Sequence, residues 1–309
     1  MKNINELLGT KYPVIQGGMA NIANADLAAA VSNAGGLGLI GAGGNDANWV
    51  RQEIRRCKTL TDKPFGVNIM LMSPHAERIA EVLIEESVLV VTTGAGNPVP
   101  YMAKWKAAGM IVIPVIPSVK LAMRVESAGA DAVVAEGMEA GGHIGKLTTM
   151  AMIPQIVDAV SIPVIAAGGI ADKRGVLAAF ALGAKGVQIG TVLLATTECP
   201  VHDNFKQLII DASDTSTIVT GLEKAPVRVI KNQMAVKYVD LIKSGATFEA
   251  LEHLTLGSLK KAVVEGDLEN GSFMAGQIAG LIKSIHSVKE VLEDMFDDVE
   301  NYKDSLKIL

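Results

Sequence analysis

The stretch that decides the fold is Ala132-Val133-Val134-Ala135-Glu136-Gly137-Met138-Glu139-Ala140-Gly141-Gly142-His143-Ile144-Gly145. Its apolar beginning is typical of a buried parallel strand, and residues 148–160 behind it are typical of a helix. The loop between them holds one histidine and four glycines, which let a backbone approach a ligand closely. The stretch therefore predicts a strand–loop–helix unit in which His143 either belongs to a site or is solvated in a turn.

Seven further apolar runs recur at about the spacing of one strand plus one helix. They lie at residues 13–16, 37–40, 65–70, 89–93, 111–115, 163–167 and 186–190. Amphipathic segments separate them, at residues 25–33, 48–57, 76–85, 101–107, 118–127, 154–160 and 175–182. Several of these segments are followed by glycines that can end a helix, namely Gly35, Gly109, Gly129 and Gly183.

Eight strands that alternate with helices favour an α/β fold of the (β/α)8 TIM-barrel type. A doubly wound open sheet is the alternative, although no Gly-x-Gly-x-x-Gly follows the first strand. We expect residues 1–198 to form the barrel and residues 199–270 to form a smaller, mainly helical cap inserted after the eighth strand. Residues 271–309 are expected to be C-terminal helices that pack back on the barrel, with residues 271–280 opening a final helix.

Composition excludes several classes of protein. The net charge is −5 without a basic run, and only 4% of residues are aromatic, which disfavours nucleic-acid binding. No apolar stretch reaches the ~18 residues of a membrane span, and Met1–Thr10 has no secretion signal. Cys57, which we expect to be buried, and Cys199 match neither a metal motif nor a disulfide framework. We therefore expect a cytoplasmic protein with no metal site and no contact with nucleic acid or membrane.

Glycines, amides and hydroxyls dominate the predicted carboxyl ends of the strands, where barrel enzymes carry their sites. This lining suits a flat, largely uncharged ring system. Asn68 could contact a ring edge or cap a helix, and Glu136 could bind hydroxyl groups or be a surface acid. His143 suits proton transfer beside such a ring, because imidazole exchanges protons near neutral pH.

The loops after the last two strands predict a phosphate site. Gly168-Gly169 and Gly190-Thr191 can offer backbone N–H groups, and a helix dipole can add to them, so no lysine is needed. The alternative is that these glycines only close tight turns.

These residues resemble a known family, the FMN-dependent nitronate monooxygenase (2-nitropropane dioxygenase) superfamily. The branch that the chain resembles most is the flavin-dependent enoyl-acyl-carrier-protein reductase II. The resemblance covers nearly the whole chain, with the cap weakest. It rests on residues 13–19, 63–71, 92–98, 136–150, 166–170, 188–191 and 271–277.

The resemblance implies an FMN at the barrel mouth and assigns roles residue by residue. His143 takes the place of the catalytic histidine. The implied cofactor-binding residues are Gly17, Gly18, Met19, Asn68, Glu136, Gly141, Gly168, Gly169, Gln188, Ile189, Gly190 and Thr191.

The implied reaction is hydride transfer from NADH or NADPH through the flavin to a trans-2-enoyl thioester of acyl carrier protein, as in fatty acid biosynthesis. His143 would protonate the α-carbon or stabilise the enolate. In the monooxygenase branch, His143 would instead bind or deprotonate a nitroalkane, and O₂ would reoxidise the flavin. A third hypothesis is a barrel that binds a phosphorylated ligand without redox chemistry. Residues 20–22, 192–194 and 221–228 depart from the family pattern, which leaves acyl-chain length and the choice of nicotinamide open.

Two partners follow by analogy, a second copy of the chain in a homodimer and an acidic acyl carrier protein. A basic rim on the cap could steer the carrier protein. The alternative is that the cap cations are ordinary solvated side chains. The candidates for the rim are Lys206, Lys224, Arg228, Lys231 and Lys237.

Overall fold

The computed structural model describes residues 3–222 and 225–306. Eight parallel strands form one sheet. They are β1 (Val14–Gln16), β2 (Gly38–Gly41), β3 (Phe65–Met70), β4 (Val90–Gly94), β5 (Ile111–Ile116), β6 (Val133–Glu136), β8 (Val164–Ala167) and β9 (Gly186–Ile189). Their order in the sheet is β1-β9-β8-β6-β5-β4-β3-β2. A further short strand, β7 (Gly142–His143), lies outside this sheet.

The sheet closes on itself between β1 and β2. The Leu37 N–H donates to the Val14 carbonyl, and the Gln16 N–H donates to the Leu37 carbonyl, both at 2.9 Å. The fully buried Gln16 side chain adds two bonds to the backbone of Leu39, donating at 3.0 Å and accepting at 3.3 Å. This closure confirms the (β/α)8 barrel and excludes the open doubly wound sheet.

Helices alternate with the strands as predicted. They are α1 (Ile4–Leu8), α2 (Ala25–Asn33), α3 (Ala47–Leu60), α4 (Ala76–Glu85), α5 (Val99–Ala107), α6 (Val119–Ser127), α7 (Thr149–Val157) and α8 (Lys173–Ala181). The four predicted helix-ending glycines all have φ between 76° and 102°, in the left-handed region that glycine adopts without strain. None of the helices in residues 3–222 and 225–306 is long and apolar enough to cross a membrane.

Two apolar clusters divide the strands by side-chain direction. Ile15, Val134 and Ile165 lie in an inner cluster together with α1, which fills the amino end of the barrel. Alternate residues such as Val133 and Val164 lie in the outer cluster beneath the helices. Because strand side chains alternate, residues in register with inner-cluster members also face the barrel interior.

The cap is mainly helical, as predicted, but it also contains a β-hairpin that was not predicted. Strands β10 (Thr217–Thr220) and β11 (Val227–Ile230) pair antiparallel, and β11 pairs with β7. The hairpin was missed because its strands have only four residues and one partner lies about 85 residues earlier. A short helix, α9 (Thr191–Leu194), follows β9 before the cap begins. The remaining cap elements are α10 (Asp203–Ile210), α11 (Gln233–Lys243), α12 (Phe248–Thr255), α13 (Ser258–Lys260) and a π-helical turn (Lys261–Glu265).

The prediction that residues 271–280 open a final helix was wrong. Residues 271–276 have no helical structure, and a 3-10 helix follows at Gln277–Leu281. The backbone there bonds to distant segments instead, with the Phe273 carbonyl accepting from Ile230 N–H at 2.8 Å. We call residues 271–276 the strap.

Two C-terminal helices follow the strap, α14 (Val288–Phe296) and α15 (Val299–Ser305). Helix α14 packs against α2 and α8, and its Phe296 ring stacks on Tyr12 at 5.0 Å between centroids. The division into barrel, cap and C-terminal segments at residues 198 and 270 stays a prediction.

Candidate functional site

The predicted site residues lie at the carboxyl ends of the barrel strands. Gly17 follows β1, and its N–H donates to the Ile189 carbonyl at 2.7 Å, so the ends of β1 and β9 meet. Asn68 on β3 donates from Nδ2 to Thr92 Oγ1 on β4 at 2.9 Å. The alternative role of Asn68 as a helix cap is not observed, because α4 begins only at Ala76.

Two glycines of this lining lie next to predicted site side chains. A Cβ on Gly18 would overlap the Asn68 side chain, so this glycine and the amide pack directly together. A Cβ on Gly190 would lie 3.8 Å from Met19 Sδ, which places Met19 beside the β9 loop. The ends of β1, β3 and β9 therefore form one lining.

One of the two predicted phosphate loops has left-handed backbone at both of its glycines. Gly168 and Gly169 have φ of 92° and 76°. However, the first turn of α8 is already capped, since Asp172 accepts from Arg174 N–H at 2.9 Å and pairs with the Arg174 guanidinium at 2.6 Å. Any phosphate bound here would therefore depend mainly on the N–H groups of the glycine loops.

Glu139 is an organising residue that sequence reasoning missed. Its carboxylate accepts from Thr149 N–H at 2.9 Å and from Thr149 Oγ1 at 3.0 Å, which caps α7. Its backbone carbonyl accepts from Gln277 N–H at 2.9 Å. The acid lies ten residues before Thr149, beyond the spacing of any helix-capping motif, so no local signal marked it.

The strap packs tightly on the glycine-rich loop. A Cβ on Gly141 would lie 2.6 Å from the carbonyl carbon of Ala275, closer than real Cβ contacts come. At the next residue, Gly276 N–H donates to Thr191 Oγ1 at 2.8 Å. The strap thus joins the loop that carries His143 to the end of β9.

His143 lies on a short strand, which corrects the expectation of a loop. Strand β7 pairs with β11, with His143 opposite Val227, and the Ile144 N–H donates to the Pro226 carbonyl at 3.1 Å. The His143 side chain is exposed. The cap hairpin therefore fixes the backbone of this histidine.

Two residues of the predicted basic rim are buried, so their assignment was wrong. Lys206 is 7% exposed and donates to the Thr196 carbonyl at 2.8 Å. Arg228 is 4% exposed, and it donates to the Met138 carbonyl at 3.1 Å and to Thr217 Oγ1 at 3.2 Å. Burial lowers the pKa of the Arg228 guanidinium. Lys231 and Lys237 are exposed, and Lys224 lies outside the described residues.

The two cysteines and the possible metal ligands can be examined in the described ranges. Burial raises the pKa of the Cys57 thiol to about 12 and that of Cys199 to about 11, so both thiols are unreactive. No cluster of three or more His, Cys, Asp or Glu side chains in residues 3–222 and 225–306 could hold a metal ion.

One buried polar atom at the mouth is unsatisfied. Gln188 Oε1 has no hydrogen-bond partner, and it is the only buried side-chain oxygen or nitrogen in this state within residues 3–222 and 225–306. Leaving such an atom unpaired costs about 1–3 kcal/mol. A ligand with a donor group would satisfy it, so this atom and the open glycine loops fit a flavin.

Replacing Gln188 by leucine tests this interpretation. We expect the Gln188→Leu apoprotein to be at least as stable as the wild type, because an unpaired oxygen is removed, and to bind FMN about tenfold more weakly. Gln16→Leu is the matched control, since it should destabilise the apoprotein by about 2 kcal/mol by unpairing the Leu39 backbone. Urea unfolding and quenching of FMN fluorescence measure the two effects. Equal destabilisation by both substitutions would contradict the interpretation.

Comparisons with known proteins show which proteins the chain is similar to. A family model described as nitronate monooxygenase matches residues 2–298. The structure of FabK from Thermotoga maritima has 48% sequence identity and a TM-score of 0.96, with 99% of each chain covered. The nitroalkane oxidase from Streptomyces ansochromogenes has 28% identity and a TM-score of 0.86, over 98% of this chain and 99% of that one.

A curated relative from Rhodococcus jostii adds a third type of substrate. It is named (3aS,4S,5R,7aS)-5-hydroxy-7a-methyl-1-oxo-octahydro-1H-indene-4-carboxyl-CoA dehydrogenase. It is 34% identical to this chain, and the similarity covers 99% of this chain and 98% of the relative.

Proposed function

The chain belongs to the nitronate monooxygenase family of FMN-dependent oxidoreductases, and we propose that it reduces trans-2-enoyl thioesters of acyl carrier protein with NADH or NADPH. The observation that carries the proposal is the similarity to FabK, an enoyl-acyl-carrier-protein reductase, along the whole chain. The Rhodococcus jostii relative also acts on a thioester by its name. A role in fatty acid biosynthesis would follow from this substrate.

The residues at the barrel mouth fit the cofactor. When bound, FMN supplies the two-electron chemistry that couples nicotinamide oxidation to reduction of the enoyl double bond. Gly168, Gly169 and Thr191 would hold its phosphate, and Asn68 and Gln188 would offer amide groups to its polar edges. Gly17, Gly18, Met19, Gly141, Ile189 and Gly190 would let the backbone come close.

His143 would deliver the proton that the reaction needs. Saturating a trans-2-enoyl thioester adds a hydride at the β-carbon and a proton at the α-carbon. The exposed imidazole of His143 can supply this proton, and the β7–β11 pairing holds its backbone in place.

Oxidation of alkyl nitronates is the second candidate function. The family model and the similarity to the nitroalkane oxidase favour it, and His143 would then bind or deprotonate the substrate. The third hypothesis, a phosphate-binding barrel without redox chemistry, is disfavoured by membership in a family of oxidoreductases.

Steady-state kinetics separate the two candidates. FMN-loaded protein should oxidise NADH or NADPH faster when crotonyl thioester is present and should form butyryl thioester in equal amount. Oxygen uptake with a nitronate in the absence of a nicotinamide, without thioester reduction, would instead establish nitronate oxidation.

We further propose that the acyl carrier protein docks on the cap at α11. Lys231 and Lys237 are exposed, and Lys237 lines a groove of about 720 Å³ together with the exposed Val236. Within residues 231–243 three lysines outnumber the single acid Asp240, in a chain whose net charge is −5. An acidic partner would be attracted to this segment.

Reversing these two charges should weaken the binding of the acyl carrier protein substrate and leave a small thioester substrate unaffected. In the double variant Lys231→Glu, Lys237→Glu we expect the KM for crotonyl-acyl carrier protein to rise about fivefold or more, with unchanged turnover of a small crotonyl thioester. Lys63→Glu, Lys289→Glu is the matched control, because both lysines are exposed at the opposite end of the barrel. Equal effects on the large and the small substrate would refute the docking surface.

The homodimer and the cytoplasmic location stay predictions.

A further inference from the structure

Arg228 contacts both ends of the short loop that precedes His143. Its side chain donates from Nε to the Met138 carbonyl at 3.1 Å, at the start of that loop. Its backbone is in antiparallel register with Gly142, at the end of the loop and one residue before His143. A single residue of β11 therefore links the start of the loop to its end.

The Arg228 side chain and the His143 side chain belong to opposite faces of the strand pair. Successive side chains on a strand point to opposite faces, and directly opposed residues share a face. His143 is opposite Val227, whereas Arg228 is opposite Gly142, which has no side chain to obstruct the guanidinium. The exposures agree with this, since Arg228 is buried and His143 is exposed. Arg228 therefore reaches the histidine through the backbone and not by direct contact.

The stability of the fold alone does not explain a buried arginine here. Within residues 3–222 and 225–306 the guanidinium donates only to neutral groups, the Met138 carbonyl and Thr217 Oγ1. The carboxylate of the neighbouring Glu139 is bonded to Thr149 instead. A buried cation in such surroundings adds little to stability, because the cost of removing it from water offsets much of the gain from its hydrogen bonds.

We propose that Arg228 is a positioning residue that fixes the His143 backbone, and hence the imidazole, relative to the barrel mouth. The start of the loop is tied to the barrel, because the Gly137 N–H donates to the carbonyl of the last residue of β8 at 2.9 Å. The bond from Arg228 Nη1 to Thr217 Oγ1 at 3.2 Å holds the guanidinium against β10. The inference rests on the proposed role of His143 and applies to enoyl reduction and to nitronate oxidation alike.

A double-mutant cycle tests whether Arg228 acts through His143. Arg228→Met removes the donors but keeps a long side chain. We expect it to slow reoxidation of the reduced flavin by crotonyl thioester about 10- to 100-fold, because a displaced proton donor loses its alignment with the substrate. Reduction of the flavin by NADH should stay within about threefold of the wild-type rate. In the His143→Ala background the same substitution should slow reoxidation by less than about twofold.

Two further variants separate positioning from a general loss of stability. Arg51→Met is the matched control, because Arg51 on α3 is ion-paired with two glutamates at the end of α4. It should lower Tm without changing either half-reaction. If Arg228→Met does not fold, Thr217→Val decides, since it removes one bond of the guanidinium and keeps the shape of the side chain. We expect it to slow reoxidation about threefold in the wild type and not at all beside His143→Ala.

Hydrogen exchange of the apoprotein gives a readout that needs neither flavin nor substrate. In Arg228→Met the amides of residues 138–144 should exchange about tenfold faster than in the wild type, because the loop has lost an anchor. Arg51→Met should leave them unchanged. Unchanged exchange in Arg228→Met, or a rate effect that multiplies with that of His143→Ala, would overturn the positioning role. Failure of the thioester to reoxidise wild-type flavin would refute only the proposed function, and the cycle would then be measured with a nitronate.

Discussion

Replacing His143 by alanine is expected to lower enoyl thioester reduction by about 10²- to 10⁴-fold while FMN stays bound. This range is typical for the loss of a general acid. The substitution removes the imidazole but keeps the backbone pairing of β7 with β11, so the site should stay assembled. Reduction of the bound flavin by NADH should change less than threefold, because that half-reaction needs no proton from His143.

Rapid-mixing measurements of the two half-reactions check this prediction. His253→Ala is the matched control, since His253 is an exposed histidine of the cap helix α12 and should be replaceable without loss. If His143→Ala reduced the thioester at the wild-type rate, the proton would come from elsewhere and the assigned role would be wrong.

Gly141→Ala is expected to weaken FMN binding by about 30- to 150-fold. The added Cβ would lie 2.6 Å from the carbonyl carbon of Ala275, so the strap must move away from the loop. Moving it strains the bonds from Gly276 N–H to Thr191 Oγ1 and from Gln277 N–H to the Glu139 carbonyl. Overpacking and distorted hydrogen bonds together cost about 2–3 kcal/mol, which corresponds to that change in affinity.

Equilibrium titration of the apoprotein with FMN measures the effect. Gly44→Ala is the control, because Gly44 is exposed and a Cβ there meets nothing within 4 Å. Wild-type affinity in Gly141→Ala would show that the strap does not shape the flavin site.

The barrel was predictable from sequence because its signals are local. Each strand is a short apolar run, each helix that follows is amphipathic, and several of these helices are followed by a glycine, as at Gly35 and Gly129. The carboxyl ends of parallel strands meet at one end of a barrel, so residues such as Asn68 and Gln188 could be placed together before any coordinates.

The parts that sequence reasoning missed depend on contacts between distant segments. Strand β7 is a strand only because β11 pairs with it, and Glu139 caps α7 across a ten-residue loop. Arg228 was expected at the surface as a cation of the cap. It lies on β11 instead, and its side chain donates to the Met138 carbonyl. The roles of the flavin-site residues stay predictions until binding is measured.

The most direct test of the proposed reaction is anaerobic stopped-flow spectroscopy of the FMN-loaded enzyme. The flavin is reduced with NADH or NADPH and then mixed with crotonyl thioester. We predict full reoxidation of the flavin with formation of one equivalent of butyryl thioester, at a rate much reduced in His143→Ala. Failure of the thioester to reoxidise the flavin, together with bleaching of the oxidised enzyme by a nitronate, would contradict the enoyl reductase and establish nitronate oxidation.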